Sequence, residues 1–375
     1  MKIGILKEKE PENRVAVMPE TVSSLTQLNV EIMVEKDAGV RSFVSDSDYQ
    51  HAGAKMTART DVFENSDLLL FINPLKVEEV KSLDERKILI GAMNPFFNRD
   101  LVGTLVKKKI TSFSLELLPR TTKAQTMDIL SSMATIAGYK AVLEAARNLG
   151  KFFPMFMSAA GTIKPAKVLI LGAGVAGLQA IAIARKLGAV VEVFDVRSAA
   201  KEEVKSLGGK FIEVEGAIED AAAGGYAVEQ TEEFRQKQSE LIHQHAVRSD
   251  VVICTAQIPG KKAPVLLNKT TVNQMKPGSV IIDLAASAGG NCELTKNSQT
   301  VVYNQIKVIG NSSYPSEMPY DASSMFGRNV FNFIRLLIDD KGNLNLDFND
   351  EIIKGTCLTH HGEIVHTLVK EIINQ

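Results

Sequence analysis

Three glycines, Gly172, Gly174 and Gly177, have the spacing that lets a backbone turn wrap around phosphate groups. The apolar run VLIL precedes them and LQAIAIARKLG follows, which predicts a buried strand, a glycine turn and a helix. In such a turn the first glycine permits the tight bend, the second lets the backbone approach a pyrophosphate, and the third lets helix pack close to strand. The amino end of the helix adds free N–H groups and a positive dipole. The sequence therefore predicts a dinucleotide-binding turn at residues 172–177.

The next predicted strand, VVEVFD, ends in Asp195. A carboxylate at this position accepts hydrogen bonds from the ribose hydroxyls of a dinucleotide and repels a 2′-phosphate. Arg197, two residues further on, complicates the prediction, because an arginine there can bind a 2′-phosphate. Asp195 lies at the strand end itself, so we expect NAD(H) to be bound in preference to NADP(H).

A second group of chemically useful side chains lies in LLPRTTKAQTMDILSSMATIAGY, residues 117–139. Its polar members include Arg120, Gln125, Asp128 and Ser131. Asp128 could simply begin the helix predicted after it, since aspartate is favourable at a helix N-terminus. That interpretation does not account for Arg120 and Gln125 upstream. From the pattern alone, a helix cap and a ligand-binding role both stay open.

The elements around these residues alternate between strands and helices. Predicted strands such as MKIGILK, VEIMVEK and SDLLLFIN alternate with amphipathic helices, and a second series begins at AKVLILGAG. This order is typical of an α/β fold with parallel sheets covered on both faces. Near the end, DASSMFGRNVFNFIRLLIDD has the apolar spacing of a helix, and NLNLDFNDEIIKGTCLTHHGEIV predicts two or three short strands joined by turns. We therefore expect two α/β domains.

The segment EVEGAIEDAAAGGYAVEQTEE, residues 213–233, has the least regular pattern. It is rich in alanine, glycine and glutamate, and Gly224, Gly225 and Tyr226 stand together within it. Such a long stretch inside a compact domain is usually functional or disordered. Its small side chains bury little apolar area, so we expect the segment to be mobile in the free protein and ordered by bound nucleotide.

Composition argues against several classes of protein. The chain has 375 residues, enough for two domains, and its net charge of −1 argues against a nucleic-acid partner. Its three cysteines, Cys254, Cys292 and Cys357, are widely spaced, which indicates a reducing compartment and no cysteine-rich metal site. Neither a signal peptide nor a membrane span is predicted, since the N-terminus is charged and glycines interrupt the apolar run at residues 168–184. We expect a soluble, cytoplasmic protein without a bound metal.

Several further stretches resemble the NAD(H)-binding component, known as domain I or the alpha subunit, of proton-translocating NAD(P) transhydrogenase. They include GAGVAGLQAI, FDVRSAAKEEVKSLGGKF, GGYA, TAQIPGKKAPVL, MKPGSVIIDLA and AGGNCELT, so the resemblance covers essentially the whole chain. It implies two Rossmann-like α/β domains with parallel sheets and the nucleotide in the cleft between them. The first domain would comprise residues 1–131 and 315–375, completed by the C-terminal helix and tail. The second, NAD(H)-binding domain would comprise residues 132–314.

The resemblance also implies a role for each matching residue. Arg120, Asp128 and Ser131 would orient the nicotinamide end, and Gln125 would face the partner's nucleotide across the gap over which hydride moves. Gly225 and Tyr226 would belong to a mobile loop that closes over the nucleotide. The residues implied to contact NAD(H) are Gln125, Thr126, Met127, Asp128, Gly172, Gly174, Val175, Gly177, Asp195, Val196, Arg197, Gly225 and Tyr226.

The activity that the resemblance implies is direct hydride transfer between NADH on this chain and NADP⁺ on a partner domain, coupled to proton translocation. The implied partners are an NADP(H)-binding beta subunit and a membrane-embedded proton channel, and the chain itself would form a homodimer. It would be a component of a Re/Si-specific transhydrogenase and would turn over only with its partner. Through that partner it would dock peripherally on the inner membrane.

The resemblance extends to alanine dehydrogenases, so an NAD-dependent amino-acid dehydrogenase is the alternative. That chemistry moves protons as well as a hydride, and it needs an acid or base and a cation for the substrate carboxylate. Arg14 matches that cation, but Phe71 stands where those enzymes carry a substrate-binding lysine. Met93 and Asn94 occupy the stretch of their catalytic histidine, and Ser287 that of their catalytic aspartate. Transfer between two nicotinamide rings needs none of these groups, which favours the transhydrogenase over the dehydrogenase. A regulatory NAD-binding module without turnover ranks third, because the residues implied to orient the nicotinamide end are present.

Overall fold

The computed structural model describes residues 1–214, 231–258 and 260–373. The chain divides into two compact units, one made of Met1–Met133 with Pro315–Gln375 and the other of Ala134–Tyr314. They are called unit 1 and unit 2 below. Most of the segment at residues 213–233, including Gly225 and Tyr226, lies outside the described residues, so the predictions for it stay predictions.

Strands and helices alternate along the described parts of both units. The strands are β1 (Lys2–Ile5), β2 (Glu31–Glu35), β3 (Lys55–Thr57), β4 (Leu68–Leu70), β5 (Ile88–Gly91), β6 (Thr111–Ser114), β7 (Phe156–Ser158), β8 (Gly161–Ile163), β9 (Lys167–Leu171), β10 (Val190–Phe194), β11 (Lys210–Ile212), β12 (Val251–Cys254), β13 (Val280–Asp283), β14 (Gln299–Tyr303), β15 (Ile306–Gly310), β16 (Cys357–His360) and β17 (Glu363–Ile364). The helices are α1 (Pro19–Thr26), α2 (Asp46–His51), α3 (Arg59–Asn65), α4 (Val77–Lys81), α5 (Arg99–Lys107), α6 (Ile129–Asn148), α7 (Val175–Lys186), α8 (Ala200–Ser206), α9 (Glu232–Ala246), α10 (Lys269–Gln274), α11 (Pro319–Leu337), α12 (Glu351–Thr356) and α13 (Thr367–Ile373).

Unit 1 is built on a mostly parallel sheet with the strand order β17-β16-β6-β5-β4-β1-β2-β3. Neighbours among β1 to β6 pair in parallel, while β16 runs antiparallel to β6, and β17 antiparallel to β16. The central strands β4 and β5 are buried along their whole length, as expected for parallel strands covered by helices on both faces. The C-terminal part of the chain therefore completes a sheet that the N-terminal part begins.

The long helix α11 belongs to the core of unit 1. Its residues Phe326, Val330 and Phe333 are buried, and the ring of Phe333 meets that of Phe113 on β6 edge-on, with 5.5 Å between ring centroids. Removing one buried phenylalanine side chain typically costs about 3–5 kcal/mol of folding free energy. Packing of this kind fixes α11 against the sheet of unit 1.

Unit 2 contains a second sheet with the strand order β11-β10-β9-β12-β13-β15-β14, parallel except for β14. The order reverses at β9, because β10 and β11 lie on one side of it and β12 and β13 on the other. Open α/β sheets bind ligands at the carboxyl ends of the strands beside such a reversal. A separate antiparallel hairpin, β7 with β8, precedes this sheet, and its strand residues are exposed.

The α/β class predicted from the alternating pattern is confirmed, and antiparallel pairing is confined to one end of each large sheet and to the separate β7–β8 hairpin. The prediction for the tail is right for β16 and β17 and wrong for residues 351–356, which form α12. The carboxylate of Asp350 accepts hydrogen bonds from the N–H groups of Ile352 and Ile353, at 2.8 and 3.4 Å. This N-terminal cap stabilises a short helix where the apolar pattern alone suggested a strand. None of the described helices is long and apolar enough to cross a membrane.

Candidate nucleotide-binding and catalytic residues

The glycine turn joins β9 to α7, and its three glycines stand in different surroundings. Gly172 has a φ of +106°, which side chains other than glycine rarely adopt. A Cβ at Gly177 would lie 1.9 Å from the carbonyl oxygen of Gly172. A Cβ at Gly174 would meet no atom within 4 Å, and its φ of −76° is ordinary. The fold itself thus requires Gly172 and Gly177, whereas open space surrounds Gly174 at the start of α7.

Neighbouring strands hold this turn in place. The hydroxyl of Thr255, just after β12, lies 2.9 Å from the carbonyl oxygen of Gly172 and 3.2 Å from that of Leu171, and it donates to them. On the other side, the N–H of Ala173 donates to the carboxylate of Asp195 at 2.6 Å. Val175, the first residue of α7, is exposed beside the turn. Contacts with β9, β10 and β12 therefore fix the backbone that carries the N–H groups at the amino end of α7.

Asp195 follows β10 and is 7% exposed in its side chain. Its carboxylate accepts four hydrogen bonds: one from the N–H of Ala173 and three from Arg197. The guanidinium of Arg197 binds it in two places, Nε to Oδ1 at 2.8 Å and Nη2 to Oδ2 at 2.7 Å. Burial alone would raise the pKa of Asp195, but the hydrogen bonds and charge of Arg197 outweigh it and the pKa is lowered. Asp195 is therefore an anion at neutral pH.

This pairing changes what the sequence suggested about the ribose site. A carboxylate offers about four acceptor sites, and in Asp195 the protein uses that capacity itself. Ribose hydroxyls that bind Asp195 must therefore replace part of the Arg197 contact. The positive charge of Arg197 also weakens the repulsion that Asp195 alone would exert on a 2′-phosphate. Between them, Val196 packs against the hydrophobic cluster under the sheet of unit 2.

In unit 1 the polar stretch forms a 3₁₀ helix, Thr122–Met127, that leads into α6. Asp128 accepts hydrogen bonds from the N–H of Ser131 at 2.9 Å and from its hydroxyl at 2.5 Å. This is the geometry of a helix cap, so the capping role that the sequence left open for Asp128 is present in the structure. The contact also fixes the Ser131 side chain, which the proposed nicotinamide-binding role would require.

The 3₁₀ helix places its side chains on two sides. Gln125 and Thr126 are exposed, and so is Arg120, which precedes the helix. The side chain of Met127 is 5% exposed and packs in the core of unit 1, so a nucleotide could contact only its backbone. The structure therefore joins Asp128 and Ser131 by hydrogen bonds, and Gln125 precedes them on a 3₁₀ helix whose Met127 is buried in the core.

The positions at which amino-acid dehydrogenases carry their substrate-binding and catalytic groups offer little acid–base chemistry in this chain. Phe71 and Met93 are buried apolar side chains, and Ser287 is exposed. Arg14 binds Glu12 through Nε at 2.8 Å and through Nη2 at 2.6 Å. Burial would raise the pKa of Glu12, but its hydrogen bonds to Arg14 and the charge of that residue lower it to about 2. A substrate carboxylate at Arg14 would have to compete with this ionised neighbour.

Sequence reasoning missed several residues that shape these sites. They are Thr255 and Ala173 beside the glycine turn, Glu12 beside Arg14, and two asparagines of α11, Asn329 and Asn332. Asn329 left one signal in the sequence, because it interrupts the apolar stripe of α11. The others act through contacts that local pattern does not reveal.

Two family models together match nearly the whole chain. The N-terminal domain of alanine dehydrogenase/PNT matches residues 4–137, and the C-terminal domain of the same family matches residues 141–367. The chain therefore belongs to the alanine dehydrogenase/PNT family.

Individual relatives narrow this assignment. The chain is 46% identical over 376 aligned residues to the first part of NAD(P) transhydrogenase subunit alpha of Rhodospirillum rubrum, covering 98% of each chain. It is 42% identical over 366 residues to NAD(P) transhydrogenase subunit alpha of Haemophilus influenzae, covering 97% of this chain and 71% of that one. Identity to an alanine dehydrogenase of Staphylococcus epidermidis is 31% over 304 residues, or 80% of this chain and 76% of that one. Within its family the chain is a member of the NAD(H)-binding transhydrogenase alpha subunits.

Solved structures agree with this assignment. A transhydrogenase from Sinorhizobium meliloti matches 97% of this chain and 100% of its own, with a TM-score of 0.89 and 38% identity. An L-alanine dehydrogenase matches with a TM-score of 0.84, covering 100% of this chain and 99% of that one. Its identity of 23% shows a shared fold and no more.

We expect Gly174→Ala and Gly177→Ala to fail in different ways. Alanine fits at position 174, so the free energy of unfolding should change by less than about 1 kcal/mol, yet NADH affinity should fall at least about tenfold. The reason is that the methyl group fills the space through which a pyrophosphate would approach the backbone. Gly177→Ala should lower both stability and affinity, since its methyl group collides with Gly172.

Thermal unfolding and calorimetric titration with NADH of both variants, beside the unmodified protein, distinguish these outcomes. A Gly174→Ala protein that binds NADH as tightly as the unmodified chain would contradict a pyrophosphate at this turn.

Proposed function

We propose that this chain binds NADH and passes its hydride directly to NADP⁺ held by a partner domain, as the NAD(H)-binding component of a proton-translocating, Re/Si-specific transhydrogenase. In this reaction the hydride leaves the nicotinamide C4 of NADH, giving NAD⁺, and adds to the nicotinamide C4 of NADP⁺, giving NADPH. No proton changes hands at the reacting carbons. The coupled proton movement belongs to the membrane-embedded partner.

The observation that carries the proposal is the absence of acid–base side chains at the positions where amino-acid dehydrogenases place them. With Phe71, Met93 and Ser287 there, oxidation of a C–N bond would lack a proton acceptor. Arg14, which a substrate carboxylate would need, is already paired with Glu12. Hydride transfer between two nicotinamides requires orientation, close approach and exclusion of water, which this chain can supply without such groups.

The site residues then take distinct roles. The backbone around Gly172, Gly174, Val175 and Gly177 binds the pyrophosphate, and residues 195–197 bind the adenosine ribose. Arg120, Asp128 and Ser131 orient the nicotinamide end, helped by the backbone of Thr126 and Met127. Gln125 is exposed, as a side chain must be if it is to reach a nucleotide on another domain. Gly225 and Tyr226 belong, in this proposal, to a loop that closes over NADH.

The names of the relatives support a reaction shared among subunits. The name of the R. rubrum relative describes it as one part of subunit alpha, and the longer H. influenzae relative is called subunit alpha. We assign this chain an NADP(H)-binding beta subunit and a membrane-embedded proton channel as partners. It would dock on them at the cytoplasmic face of the inner membrane.

A second copy of this chain completes the proposed assembly. The β7–β8 hairpin and the residues just before it expose large apolar side chains: Phe152, Met155, Phe156, Met157 and Ile163. The rings of Phe152 and Phe156 contact each other, with 4.4 Å between centroids. Apolar patches of this kind mark protein interfaces more often than free surface. They support a homodimer in which the hairpin packs against the partner copy.

The activity is tested with Gln125→Asn and a partner domain loaded with NADP⁺. Shortening the side chain by one methylene should lower the rate of hydride transfer by about 10²-fold, which is the cost of a small misplacement in such a site. The NADH dissociation constant should stay within about threefold, because the glycine turn and Asp195 remain. Gln305→Asn is the matched control, since it shortens an exposed glutamine in the β14–β15 loop of unit 2.

The two candidate enzymes separate in the same assay. The unmodified chain should reduce NAD⁺ with L-alanine at no measurable rate and should transfer hydride when the partner is added. Partner-free reduction of NAD⁺ by an amino acid would establish the dehydrogenase instead. Loss of NADH binding together with transfer in Gln125→Asn would make Gln125 an ordinary cofactor ligand.

The homodimer is tested with Met157→Asp, because a charge on the most exposed of the hairpin's large apolar residues, 73% exposed, should oppose burial in an interface. Analytical ultracentrifugation should show the unmodified chain as a dimer and the variant shifted toward monomer. Val302→Asp on β14 introduces the same charge at an exposed valine and should leave the dimer intact. If the unmodified chain is a monomer, the proposed homodimer is wrong. If the Met157→Asp variant is as dimeric as the unmodified chain, the hairpin does not form the interface.

A further inference from the structure

The backbone beside Gln125 is held by two side-chain amides from a distant part of the chain. The carbonyl oxygen of Thr126 accepts a hydrogen bond from Nδ2 of Asn329 at 2.8 Å and another from Nδ2 of Asn332 at 3.1 Å. Both asparagines lie on α11, three residues apart and hence on one face of the helix. They are called the amide pair below. All of these residues belong to unit 1.

The amide pair is held rigidly. Val330 and Phe333, interleaved with the two asparagines, are buried in the core of unit 1. A helix fixed in this way cannot shift to follow a moving loop without opening the core. The side-chain N–H donors of Asn329 and Asn332 therefore hold the carbonyl of Thr126 in a fixed position in unit 1.

Asn329 is an unfavourable residue on grounds of stability alone. It is buried, and its Oδ1 has no hydrogen-bond partner among the described residues. A buried acceptor without a partner costs about 1–3 kcal/mol, so an apolar side chain of similar size would suit the core better. What Asn329 provides in return is the N–H bond to Thr126.

Other contacts hold the residues around Gln125 in the 3₁₀ helix and leave the Gln125 side chain exposed. Ala124 and Met127 are buried in the core of unit 1, and Lys123 forms an ion pair with Asp350 at 2.8 Å. The residues on both sides of Gln125 are thus attached to the fold, while its side chain is exposed. The amide pair supplies the bond at the residue directly after Gln125.

We infer that Asn329 and Asn332 are positioning residues for hydride transfer. By fixing the Thr126 carbonyl they set where the Gln125 amide stands, and they contact neither nucleotide themselves. This inference rests on the role proposed for Gln125. Reacting carbons must approach to about 3–3.5 Å, so a displacement of about 1 Å in the 3₁₀ helix should slow transfer without preventing NADH from binding.

The test uses the double variant Asn329→Leu/Asn332→Ala in the full chain. Leucine has the branching and the number of side-chain heavy atoms of asparagine, and it removes both the donor and the unpartnered acceptor of Asn329, which limits any loss of stability. The maximal transfer rate with the partner domain at saturating NADH should fall at least about tenfold, while the NADH dissociation constant stays within about threefold. Hydrogen exchange at the backbone N–H groups of residues 125–129 should become faster.

Ser324→Ala is the matched control, because it removes a side-chain hydrogen bond of α11 that goes to Glu20 and not to the 3₁₀ helix. It should leave transfer and exchange unchanged. If the double variant does not fold, Asn332→Ala alone carries the test, since that residue is only partly buried. A smaller fall in transfer rate, of about threefold, with faster exchange is then expected.

The outcomes separate this inference from the proposed function. A folded variant with unmodified transfer and exchange overturns the inference. Faster exchange with unmodified transfer also overturns it, because the amide pair would then serve only the fold. If the unmodified chain itself transfers no hydride with its partner, the proposed function is wrong and this inference is wrong with it. Hydrogen exchange then still tests the contact alone: an unchanged exchange rate in the variant would show that the amide pair does not hold the 3₁₀ helix.

Discussion

A backbone contact with no room for a methyl group determines the geometry of the glycine turn in unit 2. Gly177 of α7 lies so close to the carbonyl of Gly172 that the helix begins directly against the end of β9. Thr255 holds the same carbonyl, and Asp195 holds the N–H of Ala173 in the middle of the turn. Three strands thus converge on a few peptide groups. The N–H groups that would meet a pyrophosphate are placed before any ligand arrives, which lowers the entropic cost of binding.

In unit 1 the backbone of the 3₁₀ helix is also fixed without a ligand, but by different contacts. Its 3₁₀ helix has no place in a sheet, so side chains fix it: Met127 in the core, Asp128 at the start of α6, and the amide pair of Asn329 and Asn332 at Thr126. The amide pair lies on a helix that the chain reaches only after unit 2 is complete. The segment near residue 125, for which a role in hydride transfer is proposed, therefore depends on residues about two hundred positions later. The helix α11, which the chain adds to unit 1 after unit 2, therefore does more than fill the core of unit 1: it also holds the 3₁₀ helix.

The sequence predicted features that depend on residues close together in the chain, and it missed those that depend on contacts between distant segments. The α/β class and the tight turn at Gly172 could be predicted from local pattern, because alternation and glycine spacing report on neighbours along the chain. The helix α12 was missed because one side-chain cap, Asp350, outweighed a weak apolar alternation. The bonds from Asn329 to Thr126 and from Thr255 to Gly172 join distant segments, and a single sequence carries no direct signal of such contacts.

If residues 195–197 bind the adenosine ribose as proposed, the ion pair between Asp195 and Arg197 has a consequence for how long a nucleotide would stay bound. The guanidinium occupies acceptors that a ribose would use, so it would act as an internal competitor present at a fixed, high effective concentration. Each binding event would exchange one set of charged hydrogen bonds for another, and only the difference between them would count as affinity. When the ribose left, Arg197 would restore the pair. The proposed cycle, which releases NAD⁺ and takes up NADH at each turnover, would benefit from such an exchange, because tight binding of the product would limit its rate.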